Sequence, residues 1–291
     1  MPHILELQEV SRSFKGFKLD RVSFSLLRGY IMGFIGPNGA GKTSTLKLIM
    51  NLIGRDSGSI KVFGQDNIIK QREIKQRIGF VYDENYFFEE LTVDEMRRII
   101  APFYRNWEEK LYRKYLKDFD LPPRKKIKDL SRGMKTKFSL ALALSHQAEL
   151  IIMDEPTSGL DPVFRSELLD ILQTEMKDDS KGILFSTHIT SDLEKIADYI
   201  CFINNGHIVL SDTRDEIINH HLLVKGPRES LNDRVRNLML AVRENEYGFE
   251  GLTHHPVETR KLLGDRAVYE RPGLDQIMLY TVRRDKHDSS Y

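Results

Sequence analysis

The sequence has a single cysteine, almost no net charge and no long apolar run, and each shortage removes a class of protein. One thiol, Cys201, cannot make an internal disulfide, which argues against a small stapled secreted scaffold. It sits in the apolar run Tyr199-Ile200-Cys201-Phe202-Ile203, the setting of a buried structural thiol, so a reducing cytoplasmic location is expected. The 44 Lys and Arg residues face 43 Asp and Glu, so no global field draws the chain onto nucleic acid or anionic lipid. No stretch of about 18 consecutive apolar residues occurs, and residues 1–10 lack both the basic start and the apolar core of a signal peptide. The expectation is a chain that spans no bilayer and works at a membrane only by docking to another protein. No internal repeat or low-complexity segment stands out.

What is present suffices for one large domain, or one large and one small: 291 residues, 40% of them hydrophobic. Strand patterns fall at 4–10, 22–26 and 30–35, the last running into a glycine-rich turn and then a helical pattern over 42–53. Short buried strands are expected at 150–153, 182–185 and 199–203, with amphipathic helices at 163–176 and 191–197 between them, an alternation that argues for an α/β sheet. Residues 92–147 are helix-rich, broken by Leu121-Pro122-Pro123 before the basic stretch Arg124-Lys125-Lys126, as in a helical subdomain inserted into the sheet domain. From about 221 the texture changes to short apolar runs between turn signals, expected to form a small α/β module.

Gly36-Pro37-Asn38-Gly39-Ala40-Gly41-Lys42-Thr43, followed by Ser44, fits the phosphate-loop pattern, in which glycines let backbone N–H groups curl round phosphates at a helix start. Lys42 would reach the β- and γ-phosphates and Thr43 would ligate Mg²⁺. Average residue usage gives an accidental match in roughly one chain of this length in a hundred, and the placement between strand and helix lowers that further. The apolar run Leu150-Ile151-Ile152-Met153 ends in Asp154 and Glu155, at the strand end where parallel sheets bind ligands. Alone, such a pair is an ordinary helix cap or solvated corner. Downstream of a phosphate loop, Asp154 is a candidate for the Mg²⁺ shell and Glu155 for orienting or deprotonating water.

With Leu130-Ser131-Arg132-Gly133-Met134 placed just before the acidic strand, the chain resembles the ABC ATPase family, whose signature motif this segment is similar to. Ser131 and Gly133 keep that motif's polar and small positions, whereas Arg132 and Met134 stand where the family usually has glycine and glutamine. The resemblance implies that this segment binds the γ-phosphate of a nucleotide held by an opposing subunit, hence two ATP sites at a dimer interface. Considered alone, Ser131 is equally a helix cap. Ser158-Gly159-Leu160-Asp161 resembles the D-loop, and His188 the switch histidine that contacts the γ-phosphate. Phe14 lies where the family stacks an aromatic on adenine, although Phe17 would serve and a core role for either stays open. Asp83 holds the position of the family's Q-loop glutamine; it retains a metal ligand and loses an amide donor.

The resemblance covers about residues 4–220 and implies an α/β phosphate-loop NTPase with a RecA-like sheet core, an N-terminal antiparallel β subdomain and an inserted helical subdomain. The domains expected are 1–220 for nucleotide binding, with the helical part at about 92–147, and 221–291 as a small C-terminal α/β appendage. ATP and Mg²⁺ are the implied cofactors, and a separate transmembrane permease and a second ABC ATPase, identical or not, the implied partners. Within the family, Asp83-Glu84-Asn85, Phe103-Tyr104-Arg105-Asn106-Trp107 and the tail look most like bacterial antibiotic, antimicrobial-peptide and phenol-soluble modulin exporters. Such a subunit would sit on the inner face of the membrane, with Tyr86, Phe87, Phe88 and Leu91 either receiving the permease or filling local core. The competing function, a soluble ABC ATPase acting on nucleic acid or ribosomes, lacks the second cassette or long coiled coil that it would need. A regulatory module without hydrolysis is disfavoured by Glu155 and His188.

Overall fold

The computed structural model describes residues 3–83 and 86–288, with side chains to Arg283. Alternating burial shapes the first hairpin: β1 (His3–Phe14) and β2 (Phe17–Leu27) turn at Gly16, which takes φ +80°, and β2 points Leu19, Val22, Phe24 and Leu26 inward. β3 (Ile31–Ile35) is buried along its whole length, as a strand covered on both faces must be, and leads through the glycine-rich turn into α1 (Lys42–Ile49). That helix ends short of the expected 53 because Asn51 adopts φ +46°, a left-handed stop. β4 (Ser57–Val62) and β5 (Gln65–Asp66) complete an antiparallel sheet of order β2-β1-β4-β5.

After α2 (Gln71–Lys75) and β6 (Ile78–Val81) come α3 (Val93–Ile100), α4 (Glu109–Asp118) and α5 (Arg132–Leu144). α3 starts at a reciprocal cap, in which the Thr92 hydroxyl accepts from the Glu95 N–H and the Glu95 carboxylate accepts from the Thr92 N–H. The chain returns through β7 (Leu150–Asp154), α6 (Pro162–Glu175), β8 (Gly182–Thr187), α7 (Thr190–Ile196), β9 (Tyr199–Asn204) and β10 (His207–Thr213). Six strands form the central sheet in the order β10-β9-β3-β8-β7-β6, parallel except for β10. The carboxyl ends of β3, β6, β7 and β8 therefore share one edge, where the phosphate loop, Asp83, Asp154, Glu155 and His188 stand at or just after a strand end.

Beyond α8 (Arg214–His220) lie β11 (Leu222–Gly226), α9 (Asp233–Leu238), β12 (Met239–Glu244), β13 (Phe249–Thr253), α10 (Pro256–Leu263), β14 (Val268–Glu270) and α11 (Leu274–Asp288). Their sheet, β12-β13-β11-β14, is antiparallel. Leu223, Leu252, Leu274, Ile277 and Tyr280 belong to one continuous buried cluster with Leu193, Ile196 and Phe185 of the central layers. Leu222, Val224, Val235, Phe249 and Leu263 form a second buried cluster within the tail, so the tail has a small core of its own and also packs on the central layers.

Candidate functional site

The phosphate loop is pinned from both sides before any ligand is considered. Gly36 packs against the Ile203 carbonyl, and a Cβ at Gly41, which takes φ +112°, would stand 2.5 Å from the Leu19 methyl group. Only glycine fits either place. The Lys42 ammonium donates to the carbonyls of Gly36 at 2.7 Å and Pro37 at 3.3 Å and lies 3.2 Å from Glu155 Oε1, so its three protons have three acceptors. Lys42 is only 6% exposed, which holds its charge at the loop rather than in solvent.

β7 delivers the carboxylates. Asp154 ends the strand in register with Ser186 of β8, and the Ser186 hydroxyl donates to Asp154 Oδ1 at 3.1 Å. Burial pushes the Asp154 carboxyl above its ordinary pKa, hydrogen bonds from Thr43 and Ser186 pull it back, and the charges of Glu155 and Asp83 raise it further. Glu155 leaves the strand at φ +47°, a strained conformation held by its N–H bonding to the Ser186 carbonyl at 2.9 Å. That twist aims its carboxylate between Lys42 and His188: Oε2 accepts from the His188 N–H at 3.2 Å and lies 2.8 Å from Nδ1. Because an ionised carboxylate only accepts, Nδ1 is the donor. Thr43, Asp154, Glu155, Lys42 and His188 thus lie together at one edge of the sheet, Thr43 and Lys42 brought there by the start of α1 and Asp154 by β7.

The Thr43 and Ser186 hydroxyls that bond to Asp154, and the carboxylates of Glu155 and Asp83 near it, are hard oxygens, the chemistry that suits Mg²⁺. Among the described residues, no three His, Cys, Asp or Glu side chains are grouped to hold a metal by themselves.

The remaining motifs behave differently. Ser131 caps α5, accepting from the Met134 N–H at 3.2 Å, and Asp161 caps α6, accepting from Val163 and Phe164. The Phe164 and Val163 N–H groups hold the Asp161 carboxyl below its ordinary pKa. Asp83 Oδ1 accepts from Arg132 Nη2 at 2.7 Å, tying the Q-loop position to the signature segment within one chain. Phe14 lies 6.0 Å from Phe17, ring centre to ring centre, with the Arg12 guanidinium 5.8 Å from the Phe14 centroid. Of the two rings, Phe17 lies against Gly41 of the phosphate loop.

The aromatic run splits. Phe87 packs on Phe138 with centroids 4.9 Å apart and Leu91 joins the core, whereas Tyr86 and Phe88 are 70% and 65% exposed. Met50, Phe80, Tyr82, Tyr86, Met96 and Ile100 line an adjoining cavity of about 300 Å³. Glu84 and Asn85 lie outside the described residues. Sequence reasoning assigned no role to Ser186; the signal was available only as a polar residue at the end of the strand beside β7. Nothing in the sequence pointed to the Asp83–Arg132 pair.

Similarity to known proteins fits this geometry. The family described as ABC transporter matches residues 19–158. The ABC transporter ATP-binding protein YtrB of Bacillus subtilis (strain 168) is 32% identical over 227 residues, covering 76% of each chain. The lantibiotic transport ATP-binding protein SrtF of Streptococcus pyogenes is 30% identical over 236 residues, covering 77% of this chain and all of that one. A solved structure of an ATP-binding subunit of an ABC transporter superposes with a TM-score of 0.69 at 29% identity, over 74% of this chain and 92% of that one. None of the helices among the described residues is long and apolar enough to cross a membrane. With its phosphate loop, acidic strand end and signature segment on the fold just described, the chain belongs to the ATP-binding subunits of ABC transporters and is an ATPase of that family.

Proposed function

We propose that the chain is the motor of an exporter of peptides or drugs, closing as a dimer around two ATP molecules with Glu155 activating the attacking water. The observation that carries this reading is Glu155, only 12% exposed and held between Lys42 and His188 beside the phosphate loop. Phosphate oxygens would compete with the Gly36 and Pro37 carbonyls for the Lys42 protons, and Glu155 would then face the γ-phosphate with His188 fixing its orientation. Thr43 and Asp154 would hold the Mg²⁺ that accompanies the nucleotide, which would supply positive charge to offset that of the phosphates. Ser131 and the first N–H groups of α5 offer an anion site suited to the nucleotide of an opposing subunit.

Support for export comes from the relatives, among them the lantibiotic transport protein SrtF. The cavity lined in part by exposed Tyr86 suits an apolar segment of a separate permease, which would hold the chain on the inner face of the membrane. Residues 1–220 would form the motor, with the helical part at about 92–147, and 221–291 an accessory module. Action on nucleic acid is disfavoured by the net charge of +1.

The test is Mg²⁺-dependent phosphate release over a protein concentration series, with Glu155→Gln alongside. Release that rises faster than linearly in the wild type, with a loss of about a hundredfold or more and an ATP-trapped dimer in the variant, is expected. A variant that stays monomeric in MgATP would contradict dimer closure.

A further inference from the structure

Two residues depart from the family pattern at charged positions, Asp83 at the Q-loop position and Arg132 within the signature segment, and the structure joins them. Asp83 follows β6, which lies parallel to β7, and its charge is felt at Asp154. Arg132 is the first residue of α5, 2.7 Å from Asp83. A cation there has the wrong sign for the helix dipole, so Arg132 is placed against the local field unless an anion offsets it. Asp83 has the converse problem, adding a third carboxylate to an edge that already carries Asp154 and Glu155 and has to receive phosphates. The pair is exposed, at 56% for Arg132 and 40% for Asp83, so each residue offsets part of the other's penalty. The Arg132 side chain also lies over Gly159, where a Cβ would stand 3.4 Å from Nη1, and Gly159 takes φ +71°. One guanidinium therefore touches both the Q-loop position and the D-loop segment of its own chain.

We infer that Asp83 and Arg132 form a positioning latch, through which occupancy of the edge beside Asp83 sets the placement of the α5 start that carries Ser131. The inference rests on the ATPase reading above and deepens it. With the latch closed, the Asp83 charge is shared with Arg132 rather than added to that of Asp154. Filling of this chain's own site would compete for Asp83 and the opposing subunit's nucleotide for Arg132, so the pair loosens as the two sites fill. The two positions act as a single unit, and the departure at either one is tolerated only because of the other.

A double-mutant cycle tests this on the full chain. Dissociation constants for ATP with and without Mg²⁺, and kcat and KM for hydrolysis, are measured for wild type, Asp83→Gln, Arg132→Gly and the doubly substituted chain. Each single change is expected to shift the MgATP dissociation constant by about twofold to fivefold, with the double variant falling well short of the product of the two. Arg132→Lys, which keeps the charge, is expected to fall between wild type and Arg132→Gly, and added salt to shrink the single-variant shifts. Single effects that multiply in the double variant, or shifts indifferent to salt, would overturn the latch. A wild-type chain that does not bind MgATP would instead overturn the functional reading beneath it.

Discussion

Asp154 stores an electrostatic penalty at the end of β7. Its folded-state pKa is raised, chiefly by burial. An acid of that kind binds its proton more tightly in the native state, so its contribution favours folding at low pH and is lost as pH rises through the native value. At neutral pH the buried charge is a cost that a bound cation would relieve. Asp154→Asn is expected to raise the melting temperature of the nucleotide-free protein by a few degrees, equivalent to about 1 kcal/mol, and to abolish the extra stabilisation by MgATP. Thermal unfolding with and without MgATP checks both halves, and a variant that melts lower while still responding to MgATP would refute the assignment. The residue types and order of this site were legible in the sequence because phosphate chemistry needs glycines, a lysine and carboxylates at strand ends. Partners set by side-chain direction were not: Ser186 reaches Asp154 from the next strand, and Phe17 rather than Phe14 lies against the loop.

Among the elements, the strand starts are tied together by Glu149, which takes Arg77 in a two-pronged pair and Arg28 at 3.0 Å, while the Arg77 guanidinium lies 3.7 Å from the Phe63 ring centre. Arg77 first, and Arg28 after it, hold the Glu149 carboxyl below its ordinary pKa. A depressed acid contributes stability above its unfolded pKa, about 4.3, and that contribution is lost as pH falls through the native value. Glu149→Gln is expected to cost about 1 kcal/mol at neutral pH, discounted for partial exposure, and close to nothing in acid. Urea unfolding at the two pH values measures the difference, and an equal cost at both would exclude a charge origin. Buried strands and capped helices were readable from their runs and end signals, so β7 and β9 begin where expected. The end of α1 was not, because Asn51 stops the helix by a backbone conformation its neighbours do not announce.

For the whole molecule, the question is whether the tail folds by itself. Tyr280 of α11 bonds to Glu250 at 2.6 Å, and Ile277 and Leu274 share their buried cluster with α7. A shared core predicts one cooperative unfolding transition in calorimetry, with calorimetric and van't Hoff enthalpies in agreement, and a marked loss of stability on removing residues 222–291. Two separate transitions would show an independent module. The change of texture near 221 marked a new sheet, and no local pattern could report which apolar face α11 would cover.

Local chemistry alone determined the nucleotide-binding class, the strand–loop–helix unit and the roles available to Lys42, Thr43, Asp154 and Glu155, because glycine spacing, hydrophobic runs and strand-end carboxylates are properties of neighbouring residues. Only the tertiary structure decided what stands across from each of them. Strand order brought Ser186 and His188 to the carboxylates, packing divided Tyr86 and Phe88 from Phe87 and Leu91, and the meeting of α5 with the end of β6 joined Asp83 to Arg132. Those contacts link residues far apart in the chain, whose proximity is set by how the layers pack and not by any periodicity along the sequence.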